Sequence, residues 1–139
     1  MTTIPVTLAS AGILGLLYLV LSARVVMARG KYKIGLGDNA AASVALGKEH
    51  EASPLHVAVR THANFAENVP LALVLLGGIE AAGAAHWVVE LLAVLLVAGR
   101  ISHPFGMLRP APNPFRAGGA MLTWVMIGWA SIEALLLVI

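Results

Sequence analysis

Cysteine is absent from the 139 residues. That excludes disulfides, thiolate metal sites and a cysteine nucleophile, so any thiol chemistry must use a thiol carried by a substrate. Charge is scarce: Asp, Glu, Lys and Arg together make up 12% of the chain, against ~25% in an average soluble domain. Hydrophobic residues reach 59%, against ~45–50%. These proportions argue against a soluble globular protein and against disorder. The length allows one domain and excludes a large multidomain enzyme. Phosphate-loop, GxSxG and HExxH signatures are all missing. The nine Lys and Arg outnumber the seven acids, yet they sit in two blocks between long apolar runs. That pattern suits membrane orientation and not nucleic-acid binding.

Residues 1–23 carry no charge. At ~1.5 Å per residue such a run crosses a ~30 Å hydrocarbon core. It lacks the basic start of a secretory signal and exceeds the usual length of its apolar region, so it reads as a retained membrane helix. The expected helices cover about 3–28, 55–83, 86–108 and 116–138. A polar, glycine-containing loop over 29–54 separates the first two, with a short helix over 40–46. Pro70 divides a polar first third of the second helix from an apolar remainder and is expected to kink it. The short link over 81–85 makes the second and third helices an antiparallel pair. Pro104, Pro110, Pro112 and Pro114 are expected to end the third helix. The expected fold is all-α: an integral membrane four-helix bundle of up-down topology.

All nine basic residues fall within 24–60 or 100–116. The positive-inside rule then puts the 24–55 and 104–116 segments in the cytoplasm and both termini on the opposite side.

Charges inside a bilayer helix cost roughly 2.5–3.5 kcal/mol at the centre, so they pair, line a wet cavity or reach the headgroups. Arg60, Asn64 and Glu67 are spaced i, i+4, i+7 on one stripe of the second helix. Arg100 and His103 share a stripe of the third. Arg24 ends the first helix and Arg116 starts the fourth, at the same expected depth. As structural clips, Glu67 would bridge Arg60 or Arg100, and Asn64 would bond between helices. One acid cannot neutralise four guanidinium groups, however. The excess positive charge calls for a ligand with carboxylates, and a ligand amine could meet Glu67. Elsewhere, His50, His56 and His62 are six apart and fall on different helix faces, which argues against a metal site. His86 and Trp87 suit the outer interface, and Trp124 and Trp129 suit packing. Glu80, Glu90 and Glu133 fall toward outer helix ends, where solvation is expected.

The string Arg60-Thr-His-Ala-Asn-Phe-Ala-Glu67-Asn-Val-Pro70 resembles the second-helix signature of the MAPEG family, the membrane-associated proteins of eicosanoid and glutathione metabolism. Gly99-Arg-Ile-Ser-His103 resembles its third-helix signature, and Ser22-Ala-Arg24 the end of its first helix. Order and spacing agree over essentially the whole chain, and residues 33–38 look most like bacterial members. The resemblance implies a homotrimer in a bacterial inner membrane, with glutathione as co-substrate bound between subunits at the cytoplasmic end. It implies a glutathione transferase, with peroxidase chemistry as a second use of the same site, acting on lipophilic small molecules. By position, Arg24 would contact a glutathione carboxylate. Asn64 and Glu67 would hold the γ-glutamyl end, with Arg60, His62, Arg100 and His103 around it. Arg116 matches the arginine that stabilises the thiolate. Met107, Ala117 and Ala120 stand where some members carry tyrosine, serine and tyrosine, so Arg116 would act without hydroxyl partners. The family also includes a non-catalytic lipid-binding adaptor, and a trimer holding a lipid or fatty acid between subunits is the alternative.

Overall fold

A computed structural model of the chain describes residues 3–38 and 52–139. The short helix expected over 40–46 lies outside the described residues. Four α-helices make up the fold: α1 (Pro5–Tyr32), α2 (Pro54–Ala81), α3 (His86–Met107) and α4 (Pro114–Leu136). No strand occurs among the described residues.

The local signals explain the helix ends. α1, α2 and α4 each begin with proline in the first turn, where a missing N–H costs nothing. Ser53 caps α2 by accepting from the His56 amide, and Asn113 caps α4 by accepting from the Arg116 amide. α4 therefore starts two residues before the expected Arg116. α1 runs four residues past its expected end, through Arg29 and Lys31, whose charges suit the negative end of the helix dipole. It closes on Lys33, whose φ of 53° is left-handed and whose amide donates to the Arg29 carbonyl. Pro104 does not end α3, contrary to expectation. It sits inside the helix, giving up one backbone hydrogen bond, and the chain leaves the helix only at Leu108, at the end expected for the third helix.

α1 has no cap of its own: Ile4 precedes it and its first turn holds no acid. Glu80, near the far end of α2, takes that role. Its two carboxylate oxygens accept from the Val6 amide at 2.9 Å and the Thr7 amide at 2.8 Å. The expectation of a merely solvated Glu80 is thereby corrected. A carboxylate against a helix N-terminus satisfies orphan amides and meets the positive end of the dipole.

Successive helices run antiparallel. Glu80 meets the start of α1, and His62, near the start of α2, meets Ser22 toward α1's end. Asn64 bonds Arg100, and Trp87 stacks edge-on against Trp129. α2 and α3 each pack on all the other helices, whereas α1 and α4 do not touch. The cross-section is a rhombus with α2 and α3 on its short diagonal. Leu14, Phe65, Leu76, Leu92, Leu96 and Met126 fill the centre. The α3–α4 approach needs glycine at facing positions. A Cβ on Gly119 would lie 2.7 Å from the Gly99 carbonyl oxygen, and one on Gly99 would lie 2.9 Å from that of Gly119.

The exterior is apolar. Leu8, Leu16, Val94 and Trp124 are between 62% and 69% exposed. Water would not tolerate such a surface, but hydrocarbon does. α1, α3 and α4 are each long and apolar enough to cross a membrane. α2 is as long as α1, but Arg60, His62, Asn64 and Glu67 keep it outside that class.

Two outcomes follow. Gly119→Ala should destabilise the bundle by about 1–3 kcal/mol through overpacking. Gly118→Ala, whose Cβ meets nothing within 4 Å, should be neutral or stabilising; thermal unfolding in detergent compares them. Glu80→Ala should cost about 1 kcal/mol, as loss of a cap does. Amide exchange at Val6 and Thr7 should speed up while exchange in α3 and α4 stays unchanged.

Candidate functional site

The polar residues of α2, α3 and α4 meet at the end of the bundle that holds the basic blocks. Arg100, only 2% exposed, lies among them. Its Nη1 donates to Asn64 Oδ1 at 2.9 Å and its Nη2 to the Gly119 carbonyl at 3.1 Å. Its Nε is buried without a hydrogen-bond partner among the described residues. One guanidinium thus ties three helices together. Of the two structural clips considered for this layer, the Asn64 bond between helices is present, whereas Glu67 is not an acceptor for Arg100.

One turn along α3, His103 is 6% exposed and joins Asn64 and Arg116 in lining a cavity of about 330 Å³. Asn113, Ala117 and Ala120 line it as well. The α3–α4 turn is built to hold Arg116 there. Asn113 caps α4 through the Arg116 amide, and its Nδ2 donates to the carbonyls of Gly106 at 3.0 Å and Pro110 at 3.1 Å. Ser102 Oγ donates to the Phe115 carbonyl at 3.0 Å. Gly106 packs so tightly on Arg116 that a Cβ would overlap the arginine's backbone. The cavity therefore offers an arginine, a histidine and two asparagine side chains together with alanine methyls. Such a mixture can bind an anion beside an apolar group.

Within one chain the other expected site residues lie elsewhere. Arg60 and Glu67 are exposed on α2 and have no hydrogen-bond or ion-pair partner among the described residues. His62 faces α1, with Nε2 3.0 Å from Ser22 Oγ and its ring 4.9 Å from that of Tyr18. Arg24 lines a separate cavity of about 220 Å³, together with Arg109, Pro54 and Val57. Within one chain, Arg24 thus lines a different cavity from the one that Arg116 lines. Among the described residues, no group of three His, Asp or Glu side chains is placed to hold a metal.

Two organising residues were not foreseen. Asn113 was legible, since Asn before Pro at a helix start is a cap signature. Asp38 was not. Its carboxylate lies 2.8 Å from His56 Nδ1, and its carbonyl accepts from Ser53 Oγ at 3.4 Å. Nothing in the intervening 29–54 segment signals that contact.

Asn64→Ala should strip a buried guanidinium of its side-chain acceptor and cost about 1.5–3 kcal/mol. Asn64→Asp, which restores an acceptor and adds a countercharge, should lose less. Chemical denaturation in detergent measures both.

The arrangement can be set beside known proteins. A MAPEG family model matches residues 7–136. The inner membrane protein YecN of Escherichia coli K12 is 32% identical over 109 residues, covering 78% of this chain and 74% of that protein. YecN of Escherichia coli O6:H1 strain CFT073 matches to the same extent. No solved structure matches. The apolar exterior and an inner-membrane relative agree that this is a membrane protein. With the family match spanning all four helices, and with them Asn64, Arg100, His103 and Arg116, the chain belongs to the MAPEG family.

Proposed function

We propose that the protein is a membrane-bound glutathione transferase that activates the glutathione thiol for attack on lipophilic electrophiles. Reduction of lipid peroxides is a second use of the same thiolate. The observation that carries this reading is the convergence of Asn64, His103 and Arg116, from three helices, on one cavity at the basic end of the bundle. Glutathione has two carboxylates and one ammonium group, which suits several arginines and one glutamate. Arg60 and Glu67 lie on the same α2 stripe as Asn64 and are exposed in a single chain. A homotrimer, with a neighbouring subunit laid against that stripe and its Arg24 brought to the ligand, would give them a role. The site would face the cytoplasm, where the basic segments are expected to lie.

The chemistry is electrostatic. A free thiol has a pKa near ~8.5 and is mostly protonated at neutral pH. A guanidinium at Arg116 favours the thiolate over the thiol. The sulfur lone pair then forms a bond to an electrophilic carbon, whose leaving group departs with the bonding electrons. The bilayer supplies the lipophilic partner, and the protein contributes proximity and a fixed positive charge.

Ala117 and Ala120 favour a second reading. They present methyl groups to the cavity where a thiolate would gain from hydroxyl donors. A non-catalytic trimer holding a lipid or fatty acid between subunits would use that apolar wall and Arg116 for a carboxylate.

Ultraviolet difference absorbance on adding glutathione separates the two. The transferase reading expects a thiolate band, with Arg116→Ala lowering its amplitude at least about tenfold while calorimetry still registers glutathione binding. No band and no heat of binding, with a fatty acid raising the unfolding temperature, would establish the second reading instead.

A further inference from the structure

Between α1 and α3 an open groove of about 880 Å³ starts at the end of the bundle opposite the basic blocks. Among the described residues its lining comes from these two helices alone. Ser10 and Ala93, both buried, form its floor, and the exposed Ile13, Val94 and Ile101 form its rim. Ser10 Oγ donates to the Val6 carbonyl at 2.8 Å, so the floor offers no free hydroxyl proton. Along α3 the groove runs from His86 to Ile101, about 22 Å at ~1.5 Å per residue. That length accommodates an acyl chain, which spans half of a ~30 Å hydrocarbon core. The charged and titratable lining stands at one end. Glu90 Oε1 lies 3.2 Å from His86 Nε2, an i,i+4 pair at the start of α3. The groove thus passes from a carboxylate at its mouth to aliphatic side chains along its length, which is the polarity of a lipid molecule.

The charge at that end selects the headgroup. Residues 1–23, 61–99 and 117–139 contain no Lys or Arg. The acidic side chains there are Glu80, Glu90 and Glu133. Glu80 is held by the Val6 and Thr7 amides, and Glu133 lies on α4, outside the groove. Glu90 is left at the mouth, 58% exposed, with an imidazole as its partner. We propose that the α1–α3 groove binds a phospholipid with a primary ammonium headgroup, its nitrogen at Glu90 and one acyl chain along the groove. A primary ammonium brings a full charge and three N–H donors to the carboxylate. Trp87, beside His86 and 61% exposed, suits the level of lipid headgroups. The site lies at the other end of the bundle from Arg24 and Arg116 and does not depend on the transferase reading.

The full-length protein in detergent supplies the test, with native mass spectrometry and unfolding temperature as readouts. The probes are phosphatidylethanolamine and phosphatidylglycerol with the same acyl chains. Phosphatidylethanolamine should remain bound in the mass spectrum and raise the unfolding temperature. Phosphatidylglycerol, which has no ammonium, should bind about tenfold more weakly, the worth of one charge-assisted hydrogen bond. Glu90→Gln should erase that difference. Glu133→Gln, which removes an acid of the same end outside the groove, should preserve it. Ala98→Phe, which puts a ring into the groove from an exposed position, should displace both lipids and leave the mass of the assembly unchanged. Both substitutions in the groove are at exposed residues, so the unfolding temperature without lipid should stay near that of the parent. Equal binding of the two headgroups would make the lipid an ordinary solvating one and overturn the site. A preference that survives Glu90→Gln, or is lost equally in Glu133→Gln, would overturn the assignment of the ammonium to Glu90. Loss of an oligomer in Ala98→Phe would give the groove to a second copy of the chain and overturn the lipid.

Discussion

A guanidinium that is 2% exposed cannot be left to itself, and the geometry around Arg100 follows from that requirement. Its charge needs acceptors, and it finds one on α2 and one on the backbone of α4. To reach the second, α4 must come close enough for the Gly119 carbonyl to lie against α3, which is why Gly99 and Gly119 face each other without side chains. The same approach brings the α4 start under the α3 end, where Asn113 ties the turn and Gly106 admits Arg116. The buried charge, the glycines and the position of Arg116 are one arrangement. The desolvation of Arg100 is offset only while all of them hold.

Much of this was legible. Long uncharged runs, a short link over 81–85 and the distribution of basic residues lead to four antiparallel helices, and the structure has them. The stripe of Arg60, Asn64 and Glu67 follows from spacing, as does the pairing of Arg100 with His103. Partner choice was not legible. Depth placed Arg24, Arg100 and Arg116 in one layer, but depth says nothing about which side of a bundle a residue faces. That depends on helix rotation, set by packing at Gly99, Gly106 and Gly119. As a structural clip, matching signs offered Arg100 a charged partner in Glu67. The fold supplies neutral dipoles instead, because Asn64 and a carbonyl were within reach and Glu67 is turned outward. Pro104 misled because a proline costs a helix one backbone bond without necessarily ending it.

Membership of the family fits the division of labour in the bundle. α2 carries the polar half that would be costly in lipid, and it is also one of the two helices that touch every other. His62 is covered by α1 and Asn64 by α3, while Arg60 and Glu67 stay exposed in a single chain. The chain thus keeps a charged stripe inside a membrane protein without presenting all of it to hydrocarbon.

Glu80 has a consequence for the segment between α1 and α2. Because α2 grips the first turn of α1 at one end and His62 meets Ser22 toward the other, the relative height of the two helices is fixed by contacts between them. The connecting segment is then not what sets their register. Residues could be inserted or removed there at a cost that grows only slowly with length. That leaves the segment beside the basic end free to diverge between relatives while both cavities keep their walls.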